Sequence, residues 1–420
     1  STSPGDYSFV FGSYSHSTGD FSFVGGASST ASGDYAVALG LNLQATGDYS
    51  FASGSNNGAA GLFSVVMGTN SHANGNYSVA IGSGATASGD FDVALGSGST
   101  SSGGGCFSGG IGSHATGAQS VALGTGSTAQ GAQSAAFGAE TLASGQASVA
   151  MGGKTTASGY YSVAMGSETL AQGQRSFAMG ASCNATGDYS VAMGLGNYAT
   201  ADQAFAMGSG SIADGVNSVA IGGGCNASGF QSVALGGGSE ASGHGSVAMG
   251  DDSTASGKNS VALGVYVISS GLGSFAAGAG TTATGNASVA LGYGTLASGQ
   301  QAFAMGTSSE ATGDNSIAVG FYNNATGTGS VALGGNSAAE GFFSVAVGDS
   351  TTAVGHGSVA MGKSTWSSGD EAVALGIGSA ATGSQSFAVG VGCNATSLAS
   401  VAMGDGCVAS AAWSVALGAG

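Results

Sequence analysis

The sequence has almost no proline, very few basic residues and no long apolar run. Pro4 is the only proline among 420 residues, and four Lys and Arg residues face 21 Asp and Glu residues, for a formal net charge of −17. So acidic a chain cannot neutralise a phosphate backbone, which excludes nucleic acids and anionic membrane surfaces as partners. No apolar run approaches the roughly eighteen residues of a membrane span, and no signal-peptide pattern opens the sequence. We expect a soluble segment without membrane insertion, with any export signal or anchor outside it.

Charged residues make up only 6% of the chain and glycine contributes 84 residues, a composition typical of disordered or silk-like chains when it lacks a period. Here a strict period is present. The motif Ser162-Val163-Ala164-Met165-Gly166 recurs at a constant step, from an anchor at Ser8 to one at Ser414, which gives thirty copies without insertion or deletion. The repeats fill the chain, so we predict a single repeat domain, residues 1–420.

Two glycine positions define the unit when the anchor serine is numbered position 1. Position 5 is glycine in all thirty copies, and position 12 is glycine in all but three, which carry Ala201, Ser397 and Ala411. Glycine at fixed offsets indicates backbone corners that need positive φ or a close chain approach. Positions 1–4 and 8–11 lie between the corners and are long enough for strands but too short for helices. The sequence therefore predicts an all-β parallel β-solenoid of thirty 14-residue coils with almost no helix.

The two faces of each strand differ in side-chain size. Position 2 is mostly Val or Phe, position 4 is mostly Met, Leu, Ile or Val, and positions 1, 3, 8 and 10 are small. Period-2 alternation then places the small residues inside a thin roll and the bulky ones outside, in one continuous stripe. An apolar stripe of this size marks an interface, so we expect an oligomer along the whole length. The reverse assignment, with the bulky residues inside, would permit a monomer.

At these positions the sequence resembles the head domains of trimeric autotransporter adhesins, the YadA-like heads. Their repeats are similar to the Ser-Val-Ala-Ile-Gly and Ala-x-Gly motifs that stand here between Ser218 and Gly229, and the resemblance covers all thirty repeats. It implies a left-handed parallel β-roll, a homotrimer around one axis and a role in adhesion or as a surface spacer. The heptad stalk, the basic neck segment and the C-terminal membrane barrel of that family are not found in this sequence.

No catalytic, cofactor or metal site is indicated by the sequence. Coils as short as these are too small to build the cleft that an enzyme such as a polysaccharide lyase needs, and the five histidines do not fall in adjacent coils. Four cysteines, Cys183, Cys225, Cys393 and Cys407, share position 8, where a small buried residue is expected. Cys393 and Cys407 lie one coil apart, at about 4.8 Å, a separation compatible with a disulfide.

Two further sets of residues are candidate sites. Sequons, which would be N-glycosylated only on a eukaryotic secretory route, occur at Asn76, Asn184, Asn226, Asn286, Asn324 and Asn394. An aromatic residue occupies position 14 at seven consecutive corners: Tyr7, Phe21, Tyr35, Tyr49, Phe63, Tyr77 and Phe91. Five of these have an acidic residue just before them: Asp6, Asp20, Asp34, Asp48 and Asp90. We expect a stacked aromatic ladder with an acidic row beside it, acting either as corner packing between protomers or as a contact strip.

These features favour a non-enzymatic, adhesive or structural extracellular fibre on a cell or particle surface. Its expected partners are other copies of the chain in a homotrimer, and a host or matrix surface glycan or protein, or another fibre. Two alternatives remain open at this point. One is an ice-binding β-solenoid, suggested by outward Thr-x-Thr or Thr-x-Ser pairs such as Thr282 to Thr284, and the other is a self-assembling viral or cellular filament subunit that uses the same roll.

Overall fold

Strands are the only regular secondary structure in the computed structural model, which describes residues 1–419 and has no helix among them. The chain divides into two compact units, Ser1–Gly210 and a second that begins at Ser211. Each unit is an all-β parallel solenoid in which every coil contributes a long and a short strand. The described residues contain 59 strands, so 29 complete turns precede the last long strand. The predicted fold class is confirmed.

The long strands follow the anchor serine and cover positions 2–6. The first unit has Phe9–Phe11, then strands that recur once per repeat from Phe23–Ala27 to Phe205–Ser209, with Val121–Leu123 shortened to three residues. The second unit has the same spacing from Val219–Gly223 to Val415–Ala419. These strands begin one residue later than the sequence predicted and extend through the glycine of position 5.

The short strands cover positions 9–10 only. They also recur once per repeat, from His16–Ser17 to Tyr198–Ala199 in the first unit and from Ile212–Ala213 to Val408–Ala409 in the second. Within each unit, strands pair in parallel with their equivalents in the next repeat, as in Val79 with Val93 and Val219 with Val233. Equivalent side chains of successive coils therefore stack directly on one another.

The interior of each unit is filled mostly by small side chains. Alanines at positions 3 and 10, such as Ala80 and Ala87, are 0% exposed, and the serines of positions 1 and 8 are buried beside them. The largest fully buried side chain in the described chain is Leu43, at position 8. Positions 2 and 4 point outwards and stay partly exposed. The predicted face assignment is confirmed, and the alternative with the bulky residues inside the roll is wrong.

Glycine is required at positions 5 and 12 for two different reasons. At position 5 the backbone has positive φ, +122° at Gly152, and an added Cβ would overlap the carbonyl oxygen of Gly166 in the next coil. At position 12 no positive φ is needed, but a Cβ on Gly159 would overlap the carbonyl oxygen of Gly173. Successive coils thus approach each other too closely at both positions for any side chain.

The corners themselves lie two residues beyond each of these glycines. Residues at positions 7 and 14 adopt the left-handed conformation even when they are not glycine, with φ of 53° at Asn42 and 59° at Tyr35. The prediction that both glycines are required for positive φ or a close chain approach is confirmed, but the left-handed corner residues lie two positions later than expected. Position 7, rich in Gly and Asn, carried a signal for this conformation, whereas position 14, with its aromatic and Gln residues, carried none.

Adjacent glycines allow a matched test of the close approach. We expect Gly152→Ala to lower the free energy of unfolding by about 2–5 kcal/mol, because it combines backbone strain with steric overlap. Gly153→Ala should change it little, since nothing lies within 4 Å of a Cβ at that position and no positive φ is needed there. Denaturant unfolding followed by circular dichroism measures both, and equal losses in the two variants would contradict the argument.

Candidate contact surface

The aromatic residues of position 14 form a continuous stack along one corner of the first unit. From Tyr7 to Phe91, neighbouring ring centroids lie 4.6–5.3 Å apart and the ring planes differ by 2–15°. The in-register pairing of the coils fixes this spacing, and the left-handed backbone projects each ring outwards. We call these seven residues the aromatic ladder. Stacking of this kind offsets part of the cost, about 1–2 kcal/mol per residue, of left-handed backbone at a bulky residue.

Stacking changes what the ladder offers to a partner. The five inner rings are 43–49% exposed, whereas Tyr7 and Phe91 at the two ends are 84% and 65% exposed. The faces of the inner rings cover one another, so their edges and the tyrosine hydroxyls form the accessible ridge. Only the end rings have an uncovered face. A flat ligand therefore has no access to the ring faces along most of the ladder.

The acidic row has a structural role that the sequence did not reveal. One carboxylate oxygen of Asp20, Asp34 and Asp48 accepts the backbone N–H of the preceding residue in the row, at 2.8–2.9 Å. Asn76 and Asp90 continue the pattern, accepting the N–H groups of Leu62 and Asn76 at 3.0 and 2.8 Å. Position 13 therefore selects Asp or Asn because a short side-chain oxygen satisfies an amide of the neighbouring coil.

The second oxygen of each of these carboxylates makes no hydrogen bond within residues 1–419. The row therefore keeps its charge on the surface, beside the edges of the rings. Further along the same corner of the first unit single aromatic residues return at Tyr161 and Tyr189. There the Arg175 guanidinium lies 5.3 Å from the Tyr189 ring centroid and donates to the tyrosine oxygen at 2.7 Å. The ladder and its acidic row lie side by side as predicted, and their role in contacts stays a prediction.

The apolar stripe predicted at positions 2 and 4 lies on the outer face of the long strands. In the isolated chain Met249 and Met305 remain 40% and 41% exposed, although each contacts its equivalents in neighbouring coils. No position 2 or 4 in any of the thirty repeats carries a charged residue. This stripe is the largest apolar surface that the repeat produces.

All five cysteines are buried free thiols in the structure. The disulfide considered between Cys393 and Cys407 is not formed there, because each thiol is directed at a backbone carbonyl of the next coil, at 3.2 and 2.9 Å. Burial raises the pKa of the Cys225 thiol, and burial followed by the nearby Cys393 raises the pKa of Cys407. Both thiols are therefore held in the protonated form at neutral pH, in which cysteine is a poor nucleophile.

A buried carboxylate next to the fifth cysteine was missed by the sequence analysis. Asp92 occupies position 1, is 0% exposed, and accepts the N–H groups of Gly89 and Cys106 at 2.7 and 2.9 Å. The sequence did contain a signal for this site, because Asp92 is the only Asp among the thirty anchor positions. Its two hydrogen bonds explain how a buried carboxylate is tolerated there.

The sequons fall in two structural settings. Asn76 and Asn286 lie at position 13, where their side-chain oxygens accept backbone N–H groups of the preceding coil, both at 3.0 Å. Asn184, Asn226, Asn324 and Asn394 open short strands and are partly buried. Their glycosylation stays a prediction.

Metal-binding and membrane-spanning features are not seen in the part of the chain that the structure describes. Within residues 1–419, no three His, Cys, Asp or Glu residues are grouped so that they could hold a metal ion. The same residues include no helix long and apolar enough to cross a membrane.

The coil geometry, the small-residue interior and the outer stripe define a repetitive β-solenoid. The chain matches the family model described as the YadA head domain repeat over residues 26–42, 45–71, 59–85, 73–99, 115–141, 143–169, 171–197, 199–224, 227–253, 241–266, 269–295, 297–323, 311–337, 325–349, 339–365 and 367–392. Since these matches cover most of the chain, it belongs to the YadA head domain repeat family, which confirms the resemblance seen in the sequence. A comparison with curated proteins found no match. The family indicates an adhesin-like structural role.

The backbone role of the acidic row can be tested at one residue. Asp34→Ala removes the acceptor of the Asp20 N–H, so we expect that amide to exchange with solvent about five- to thirtyfold faster, for a lost hydrogen bond of about 1–2 kcal/mol. Asp34→Asn keeps the acceptor, as Asn76 does naturally, and should leave exchange nearly unchanged. Hydrogen–deuterium exchange with mass spectrometry, read on a peptide that contains Asp20, makes the measurement. If both variants exchange alike, the row has no such role.

Proposed function

We propose that this chain is a non-catalytic, adhesive or structural fibre segment that works as a parallel homotrimer on a cell or particle surface. The observation that carries the proposal is the outer apolar stripe of positions 2 and 4. It runs along both units on the outer face of the long strands, and the small interior offers it no place within the chain. The family supports the trimer, since its members are heads of surface adhesins that assemble as trimers.

Burial against equivalent stripes solves the problem that the thin roll creates. A coil whose interior is filled mostly by Ala and Ser gains little from burying apolar surface within one chain, because burial is worth about 25 cal/mol per Å². Side chains of positions 2 and 4 that meet around a common axis supply the missing apolar core. The repeated spacing of the coils keeps the three stripes in register along their length.

The ice-binding alternative is not favoured. An ice-binding face requires a flat, regular array, whereas the outward side chains of position 9 include the exposed Tyr198, Glu240 and Trp366. The family also favours the adhesin role over a filament of another lineage.

Introducing charge into the stripe tests the trimer. We expect Val163→Asp combined with Met165→Asp to weaken assembly by about a hundredfold or more, because carboxylates from three protomers would be buried together without partners. Sedimentation velocity over a range of concentrations measures the change.

The same coil supplies the control. Leu170→Glu places an acid at position 9, where Glu240 and Glu310 occur naturally, so assembly should be unaffected. A wild-type segment that sediments as a stable monomer would contradict the proposed interface. If only the Leu170→Glu variant dissociated into monomers, the interface between protomers would lie on the short strands and not on the stripe.

Within this fibre we propose that the aromatic ladder is a contact strip. Most later coils carry Gln, Asn, Gly or Ala at position 14 with the same backbone conformation, as at Gln133 and Ala147, so folding alone does not require aromatic residues there. Stabilising an end of the solenoid would concern the outermost coil or two, yet the ladder spans seven. Ring edges, tyrosine hydroxyls and free carboxylate oxygens are here brought together over seven consecutive coils.

Replacing four inner rings separates contact from stability. We expect the combined change of Tyr35, Tyr49, Phe63 and Tyr77 to Gln to abolish adhesion to matrix-coated surfaces, or bundling seen by electron microscopy, without changing the melting temperature. The matched control changes Tyr161 and Tyr189 to Gln in the same column outside the ladder and should retain both activities. Retained adhesion and bundling together with a lowered melting temperature would show that the ladder is only structural.

A further inference from the structure

The aromatic ladder ends at a gap that has the size of one missing ring. Phe91 is the last ring, and the next residue in the column is Gly105, preceded by Gly103 and Gly104. A Cβ on Gly104 would meet nothing within 4 Å, and one on Gly105 would meet only the Gln119 side chain, at 3.8 Å. The outer face of Phe91 is therefore uncovered, which accounts for its exposure of 65% against 43–49% for the inner rings.

Two planar groups bound the gap. On one side is the Phe91 ring, which stacks on Tyr77 at 5.2 Å and 3° and is thereby held in the plane of the ladder. On the other side is the Gln119 carboxamide, whose oxygen accepts a hydrogen bond from Gln133 at 3.3 Å. Phe91 and Gln119 are two coils apart, about 9.6 Å at the usual strand spacing. A ring placed midway would lie about 4.8 Å from each wall, within the range of the ladder's own stacking distances.

The chain itself does not fill this gap. In the second unit, Phe343 is likewise followed in its column by a glycine, and a Cβ on Gly357 would meet only the Glu371 side chain, at 3.9 Å. Phe343 leans the other way, over Gly329, where its ring carbon Cδ1 lies 2.5 Å from the place of a Cβ. Phe91 differs in that Tyr77 covers its other face and holds the ring in the stack.

Part of the backbone of the gap is paired. The Gly105 N–H donates to the Asp90 carbonyl at 2.8 Å, and the Gly104 carbonyl accepts the Gln119 N–H at 3.0 Å. One oxygen of the Asp90 carboxylate accepts the Asn76 N–H, and the other makes no hydrogen bond within residues 1–419. The gap therefore offers an aromatic face, an amide side chain and one negative charge.

We propose that this gap, bounded by Phe91, Gly105 and Gln119, binds an aromatic side chain of a partner protein that carries a basic residue next to it. The aromatic ring completes the stack as its eighth member, and the basic residue pairs with Asp90 on a chain whose net charge is −17. A sugar ring fits the gap less well, because sugars are held by several convergent polar side chains, whereas Asp90 and Gln119 are the polar side chains that the two corner columns place beside this gap. The inference deepens the contact role proposed for the ladder by naming the chemistry of the partner.

The test uses the assembled protein and a fluorinated peptide probe, acetyl-Lys-(5-fluorotryptophan)-Lys-amide, followed by ¹⁹F NMR titration. We expect binding to weaken at least about tenfold in Phe91→Gln, which removes the stacking face. Gly105→Tyr should weaken it equally, because it fills the gap with a ring that Gln119 covers on the far side. Gly105 has a φ of +66°, close to the +56° to +61° of most of the ladder residues, so a tyrosine at this position should not disturb folding.

A glycine in the same column provides the control. Gly273→Tyr has a matching φ of +62° and open space around its Cβ, but no neighbouring ladder, and should bind the probe like the wild type. Unchanged affinity in both Phe91→Gln and Gly105→Tyr would overturn the proposal. Displacement of the probe by millimolar N-acetylglucosamine would overturn the aromatic occupant, and equal binding of a probe with Ala in place of both Lys residues would overturn the basic one.

Failure of this inference and failure of the proposed function are distinguishable. Sedimentation of each variant reports the trimer separately, and the variant with four inner rings replaced reports the contact role of the ladder. If the peptide does not bind while that variant still loses adhesion, the gap is not the site and the ladder contact stands.

Discussion

The close approach of successive coils at positions 5 and 12 determines most other features of this protein. At those positions the backbone of one coil occupies the space that a Cβ of the preceding coil would need, as at Gly152 and Gly166. Each coil has only 14 residues, and its interior is filled mostly by Ala, Ser and similar small residues. The volume that a globular domain would place in its core is placed outside instead, on the other face of the long strands. The thinness of the roll is therefore the physical ground for proposing a partner along this face.

In-register stacking also multiplies whatever a single coil carries. A side chain at a given position lies directly over its equivalents, so a preference of a few tenths of a kcal/mol is repeated at every coil. An oxygen at position 13 becomes a row of amide acceptors, and an aromatic residue at position 14 becomes a column of stacked rings. The same multiplication makes charge unfavourable at positions 2 and 4, where thirty repeats contain none.

The sequence was sufficient to predict features that depend on the period, and insufficient for those that depend on the path of the backbone between strands. Fold class, repeat count and the inward direction of positions 3 and 10 follow from side-chain size and alternation alone. The left-handed residues at position 14 could not be predicted, because Tyr35 and Gln133 do not favour that conformation and adopt it only under the constraint of stacking. The hydrogen bonds of Asp34 and the covered faces of the inner rings depend on distances between coils that a sequence does not contain.

Functional specificity in such a molecule has to come from departures from the repeat. Uniform coils present the same surface thirty times and so cannot define one place for a partner. The ladder differs from the other coils because seven consecutive coils carry an aromatic residue at position 14. The gap differs from the ladder because the next coil carries Gly105 there instead of a ring. Phe91 is held by Tyr77 on one side and left open on the other, so it combines the rigidity of the stack with an accessible face. A ring that is already positioned loses little conformational entropy when a partner stacks on it, which is the condition for an efficient contact.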